Sequence, residues 1–313
     1  MFHLESFAKI NLGLEITGKR PDGYHNLKTI FQTVDLHDTI EIKENSTGGF
    51  RLSGDDRSIE WDKANTISRA VDIIGKNFDI SRGFDIFVKK RIPAGSGLGG
   101  GSSNAAVILL FLKEYFRLNL DTEELVAIGA KIGADVPFFL MGGTVLAEGI
   151  GEIMTPLRDY EETGVGIVIP PVSISTKLIF SHFNLTSRPR KSKIETFMES
   201  NNYLVLENHL EKVTFELFPE VRTIKEEMKK LEYDFVMMSG SGAAVYCLAP
   251  TVEVSTFETR FPGSRIFVTR TLSRQNYMNR IGASPSGKAP VFGAGIRRFE
   301  SSRPSFRIYS QTR

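Results

Sequence analysis

Residues Pro93, Ala94, Gly95, Ser96, Gly97, Leu98, Gly99, Gly100, Gly101, Ser102, Ser103 and Asn104 form a glycine-dense loop that runs straight into the apolar stretch Ala105 to Leu112. Such a junction is suited to holding phosphate. Five of the seven residues from Gly95 to Gly101 are glycine, which frees the backbone to turn through positive φ and bring N–H groups against a ligand with no Cβ in the way. The helix that follows would present its unpaired first N–H groups and roughly half a positive charge to the same ligand. Ser102 and Ser103 are the expected caps of that helix, and a nucleotide polyphosphate is the expected anion.

Two familiar phosphate loops are excluded by context. Gly95-x-Gly97-x-x-Gly100 satisfies the dinucleotide fingerprint, but that unit requires an acidic residue about 20 positions on at the end of the next strand. Here the next carboxylate, Glu114, falls on the same helix. A Walker A loop would place Lys and Ser/Thr directly after its last glycine, whereas Gly100 is followed by Gly101 and Ser102.

A second chemical group is Asp135, in Gly133-Ala134-Asp135-Val136-Pro137. Pro137 is expected to hold Val136 extended, leaving Asp135 on a short, stiff turn before the apolar run Phe138 to Met141. On the residues alone Asp135 reads either as a side chain tying down its own turn or as a semi-buried catalytic carboxylate. A late glycine motif, Ser239-Gly240-Ser241-Gly242-Ala243-Ala244, lies between two apolar runs and by itself reads as a hairpin turn.

The elements that must position these groups follow from periodicity. Glu5 to Ile16, Leu27 to Val34 and Thr39 to Lys43 read as strands broken by the turn Arg20-Pro21-Asp22-Gly23. Asn65 caps an expected amphipathic helix with Ile67, Ala70, Val71 and Ile74 on one face. Phe84, Ile86 and Val88 alternate as a strand, and Asp121 and Glu124 form a capping-box pair that opens a helix ending near Gly133. Glycines and polar residues between about 148 and 166 predict a domain junction, after which strands and helices alternate to Thr269.

Composition bounds the class. A chain of 313 residues with 41% hydrophobic and 24% charged content is that of a globular protein of one large or two ordinary domains, and two are expected. No apolar run approaches the roughly 20 residues of a membrane span, and Met1 to Lys9 lacks the pattern of a secretory signal. The single cysteine, Cys247, allows no internal disulfide and no multi-cysteine metal site. A cytoplasmic location is expected. The net charge of +2 hides an asymmetry: residues 274–313 hold eight cationic side chains against Glu300 alone, while the first 273 residues carry 31 positive and 36 negative charges. The Ser-, Gly-, Pro- and Arg-rich end is expected to be a disordered tail, with no nucleic-acid partner assigned to it.

Three motifs in this order, Ala8-Lys9-Ile10-Asn11-Leu12, the phosphate loop and the Ser239–Ala244 turn, resemble those of the GHMP small-molecule kinase superfamily. Asp22-Gly23-Tyr24-His25 together with Gly133-Ala134-Asp135-Val136-Pro137 is similar to the branch acting on a CDP-linked methylerythritol. The resemblance runs from about residue 5 to 270. It implies an α+β, two-domain fold: an N-terminal ATP-binding α/β domain over 1–155, a C-terminal α/β domain over 156–273, the active site between them, and the basic tail over 274–313.

The activity implied is ATP-dependent phosphorylation of the 2-hydroxyl of the CDP-linked methylerythritol, a step of non-mevalonate isoprenoid precursor biosynthesis, with magnesium accompanying ATP. By likeness Lys9 and Asp135 are catalytic, the loop from Pro93 to Ser103 with Asn65 and Lys90 binds ATP, and Ser103 is a magnesium ligand. Asn11, Tyr24, His25, Thr176 and Phe180 bind the acceptor, Tyr24 and Phe180 by stacking on the pyrimidine and His25 at its edge. The expected partners are two small molecules, with neither membrane nor nucleic acid, in a monomer or homodimer. A kinase for mevalonate, homoserine or a sugar would not require Tyr24, His25 and Phe180, and a silent nucleotide or sugar sensor would not require both Lys9 and Asp135.

Overall fold

The computed structural model describes residues 1–281 apart from 81, 161–162, 185–191 and 234. Two long strands, β1 (Phe2–Lys19) and β2 (His25–Asn45), pair antiparallel across the Arg20–Gly23 turn and form the spine of the molecule. They extend well past the segments expected from sequence, because register shifts after Phe7, Asn11 and Ile16 absorb the breaks in alternation. β2 also pairs with β4 (Gly83–Lys89) along one half and β5 (Thr144–Gly149) along the other. β3 (Phe50–Gly54) lies parallel to β4, and β6 (Ile153–Pro156) closes the far edge.

Helices cover this first sheet. α1 (Thr66–Asn77) buries Ile67, Ala70, Val71 and Ile74 and is capped by Asn65, whose Oδ1 accepts from Ile67 N–H, as the spacing predicts. α2 (Gly100–Tyr115) is the central helix: every residue from Ser103 to Leu112 is buried, as an all-round apolar sequence requires. α3 (Thr122–Ile132) opens with the complete Asp121/Glu124 capping box and stops at Gly133. Two local expectations are corrected. The N-cap of α2 is Gly99 in the left-handed region, so Ser102 and Ser103 lie inside the first turn rather than capping it. Val136 is not extended but begins a short helix, α4 (Val136–Met141), with Pro137 in its first turn and Asp135 as its N-cap residue.

The second sheet has the order β10-β7-β9-β8, all antiparallel, from β7 (Gly164–Ile169), β8 (Phe235–Met238), β9 (Val245–Ala249) and β10 (Arg265–Arg270). Its helices are α5 (Thr176–His182), α6 (Lys193–Ser200), α7 (Glu211–Leu217), α8 (Pro219–Lys229) and α9 (Val254–Arg260). Ala8, Ile10, Leu12, Leu14 and Ile16 of β1 join the buried cluster built around this sheet. The period of two therefore turns Lys9 and Asn11 to the other face of β1.

The chain then returns to the first half as α10 (Arg274–Ile281), which buries Tyr277 and Ile281 in the cluster around α2. This corrects the expected tail from residue 274. Arg280 is held by Glu5 and Asp35 and lies 4.6 Å over the Phe7 ring, so cations counted as tail charge belong in part to the folded body. The rest of the expected tail, 282–313, lies outside the described residues.

Candidate active site

The phosphate loop is anchored at both ends and in its middle. Ser96 Oγ donates to Pro93 O, closing the loop's first turn. Lys9 N–H donates to Leu98 O at 3.0 Å, and Ala244 N–H donates to Ser96 O at 2.9 Å, so β1 and the late glycine turn grip it from two sides. Glycine is required at 97. Its φ is +80°, and a Cβ there would fall 2.3 Å from Ser239 O. The Ser239–Ala244 turn is thus more than a hairpin: Ser239 Oγ also donates to Gly97 O at 3.0 Å.

Lys9 reaches into this junction from β1. Its Nζ donates to Gly97 O at 2.8 Å and to Asn11 Oδ1 at 2.6 Å, and lies 3.7 Å from Asp135 Oδ2 and 5.3 Å over the Phe31 ring. The lysine side chain is almost wholly buried, whereas about a third of the Asp135 carboxyl is exposed. Burial lowers the Lys9 pKa from the ordinary lysine value, and the Asp135 carboxylate works in the opposite direction. Asp135 makes no capping hydrogen bond of its own, so its oxygens are not tied up in the turn.

Asn11, expected at the acceptor, is 2% exposed. Its Oδ1 accepts from Lys9, its Nδ2 donates to Thr29 Oγ1 and its backbone N–H donates to Ser239 Oγ. These bonds hold the Asn11 side chain against the Lys9 ammonium.

Lys90, expected at ATP, is likewise turned inward. Its ammonium pairs with Asp38, which is fully buried, and only 5% of the lysine side chain is exposed. Asp38 Oδ1 accepts from the N–H groups of Arg91 and Ile92 at 2.8 Å, and Oδ2 from Asn104 Nδ2 at 3.1 Å. One carboxylate thus ties the segment leading into the loop to the helix leaving it. Sequence reasoning missed Asp38, although a carboxylate amid the buried alternation of β2 was an available signal.

Ser103, expected at magnesium, is also internal: its Oγ accepts from Ser6 Oγ at 2.8 Å and the residue is fully buried. Ser102, one position earlier, is half-buried and lies beside Gly133, two residues before Asp135. Asn65 is half-buried at the start of α1, where Thr66 Oγ1 donates to Gly101 O at 2.7 Å.

At the far end of the β1–β2 hairpin, His25 packs on Phe180 of α5 at 5.6 Å between ring centroids and edge-on to Phe183 at 6.0 Å. Burial, helped by nearby Lys19, lowers the His25 pKa below the ordinary histidine value. Tyr24 beside it is 64% exposed on the turn, which is held by Arg20 N–H to Tyr24 O and by Asp22 Oδ1 accepting from Tyr24 N–H. Thr176 begins α5, its hydroxyl 2.9 Å from Ser241 Oγ of the glycine turn.

A glycine loop at a helix start, a lysine–carboxylate pair beside it and two α/β halves gripping it define a small-molecule kinase of the GHMP class. The family GHMP kinases N terminal domain matches residues 65–143, and GHMP kinases C terminal matches 189–261. A 4-diphosphocytidyl-2-C-methyl-D-erythritol kinase of Clostridium beijerinckii is 39% identical over 279 residues, covering 86% of this chain and 99% of that protein. One of Alkaliphilus oremlandii is 41% identical, covering 80% and 89%. The crystal structure of a 4-(cytidine 5'-diphospho)-2C-methyl-D-erythritol kinase superposes with a TM-score of 0.75 at 30% identity, covering 86% of this chain and 98% of that one. The chain belongs to the 4-diphosphocytidyl-2-C-methyl-D-erythritol kinase family. No helix among the described residues is long and apolar enough to cross a membrane.

Proposed function

We propose that this protein transfers the γ-phosphoryl group of ATP to the 2-hydroxyl of 4-diphosphocytidyl-2-C-methyl-D-erythritol, releasing ADP, in the non-mevalonate route to isoprenoid precursors. The observation that carries this reading is the Lys9 ammonium, 2.8 Å from the Gly97 carbonyl of the phosphate loop and 3.7 Å from the Asp135 carboxylate. It joins a phosphate cradle, a cation and a base in one place.

In the loose transition state of phosphoryl transfer, positioning and charge neutralisation supply most of the rate. Asp135 accepts the proton of the attacking hydroxyl, which leaves late in the transfer. Lys9 offsets charge developing on the acceptor oxygen and the transferred group, and Asn11 and Gly97 O aim its ammonium. The loop N–H groups and the start of α2 hold the nucleotide phosphates.

Magnesium prefers oxygen donors and retains several waters. The half-buried Ser102 hydroxyl fits that preference, whereas fully buried Ser103 does not. When bound, the ion neutralises charge shared by the phosphates. Tyr24 and Phe180 stack on the cytosine, and His25, held neutral, both donates to and accepts from its edge. Thr176, whose hydroxyl lies 2.9 Å from Ser241 Oγ, contributes to the acceptor site, and Asn65, at the start of α1, to the nucleotide site.

The test is incubation of the purified protein with Mg-ATP and, separately, the CDP-linked methylerythritol, mevalonate, homoserine and galactose, following ADP release and the new phosphate ester by phosphorus NMR. Turnover with the CDP-linked acceptor alone is expected. Turnover with another acceptor would discard the roles given to Tyr24, His25 and Phe180, and silence with all four would sink the kinase reading.

A further inference from the structure

Helix α10 lands between the two elements that carry Lys9 and Asp135. Tyr277, at its centre, is fully buried. Its hydroxyl donates to the carbonyl of Phe139 in α4, the six-residue helix whose N-cap residue is Asp135. That carbonyl belongs to the last turn of α4, where helical carbonyls lack partners along the chain.

The same ring fills the space beside Gly142, the residue that ends α4: a Cβ there, at φ +63°, would lie 2.0 Å from the Tyr277 ring. Its other side meets Phe7 edge-on at 5.6 Å, two residues along β1 from Lys9. Phe139 in turn touches the phosphate loop, its ring standing 2.8 Å from where a Cβ on Gly99 would fall.

An isolated helix of six residues has no stability of its own, so tertiary contacts decide where Asp135 stands. α10 is itself fixed at both ends. Arg274 N–H donates to Asp159 Oδ2 and Arg274 Nη2 to Thr144 O, while Arg280 is held by Glu5 and Asp35.

We infer that Tyr277 is a positioning residue for phosphoryl transfer, its hydroxyl and ring setting α4 against β1 so that Asp135 meets Lys9 at the loop. The inference rests on the roles proposed above for Asp135 and Lys9. Burial drives the phenol's pKa far above the ordinary tyrosine value, so the hydroxyl remains a donor at every working pH.

Tyr277→Phe removes the hydroxyl and keeps the ring. A misplacement of a fraction of an ångström at a reacting group is expected to lower kcat about tenfold, with the KM values for ATP and acceptor within about twofold. Because Tyr277 acts through Asp135, the double variant Asp135→Asn/Tyr277→Phe is expected to be no slower than Asp135→Asn alone. Hydrogen–deuterium exchange of both folded proteins, without any substrate, is expected to quicken at residues 136–142 in Tyr277→Phe and to stay unchanged in α1 and α8. An unaltered kcat, or full additivity in the double variant, would overturn the inference. Should the wild type fail to phosphorylate the CDP-linked acceptor, the function reading fails on its own, and unaltered exchange at 136–142 would still dismiss Tyr277 as the support of α4.

Discussion

The Lys9 ammonium donates to the carbonyl of Gly97 at 2.8 Å, so the glycine loop and this cation are one hydrogen-bonded unit. Removing the ammonium takes away one of the two donors to Gly97 O among the described residues, the other being Ser239 Oγ. Lys9→Met is therefore expected to depress kcat by about 10²-fold or more and also to raise the KM for ATP. Steady-state kinetics with each substrate varied separately checks both effects, and a change in kcat alone would show that the loop is held by its other anchors.

Burial depresses the Lys9 pKa, so the ammonium loses its proton below the ordinary lysine range. Activity that needs the cation should fall on an alkaline limb beginning below about 10. Stability moves the other way: between the folded and unfolded pKa values the unfolded chain binds more protons, so unfolding free energy rises with pH across that window. A kcat–pH profile of wild type beside Lys9→Arg, whose guanidinium keeps its proton, is the measurement. Identical alkaline limbs in the two proteins would assign the limb to another group.

Asp135→Asn keeps the size and loses the basicity of the carboxylate. Turnover is expected to fall about 10²- to 10⁴-fold with ATP and acceptor binding retained. Isothermal titration of each ligand beside single-turnover kinetics separates the two, and near-normal turnover would remove Asp135 from the base role.

Lys90 and Asp38 form a buried pair, so Lys90→Met would strand a fully buried carboxylate. The expected consequence is a loss of about 3–5 kcal/mol of stability, read as a lower urea midpoint. A stable variant with only a raised KM for ATP would restore the lysine to the nucleotide site.

His25 has a lowered pKa and so stays neutral at pH 7. The acceptor KM is expected to be flat from about pH 7 to 8 and to rise only below the ordinary histidine value of about 6.5. A rise already above pH 7 would mean that a group other than His25 titrates at the proposed cytosine site.

The local features of this protein were legible because their causes are local. Asn65 caps α1 and the Asp121/Glu124 box opens α3, since each depends on residues three or fewer positions away. The glycine loop announced itself because positive φ is a property of the residue type. The capping of α2 departs from the sequence expectation for a related reason: Gly99 takes the left-handed conformation and begins the helix itself, a choice that the packing of Phe139 and Lys9 against it helps to fix.

By itself the sequence determined the glycine loop and the order of the motifs, while the pairing of Lys9 with Asp135 was implied only by the family resemblance and is a distance of 3.7 Å in the structure. Only the tertiary structure decided that Lys90 faces Asp38, that Asn11 supports Lys9, that Ser103 is internal, and that residues 274–281 fold back onto α4. Apart from the Lys9–Asn11 bond, between residues two positions apart, each of these depends on contacts between residues tens to hundreds of positions apart. Such contacts leave no period in the chain: a lysine in an ion pair and a lysine in solvent are the same letter, and burial alone separates them.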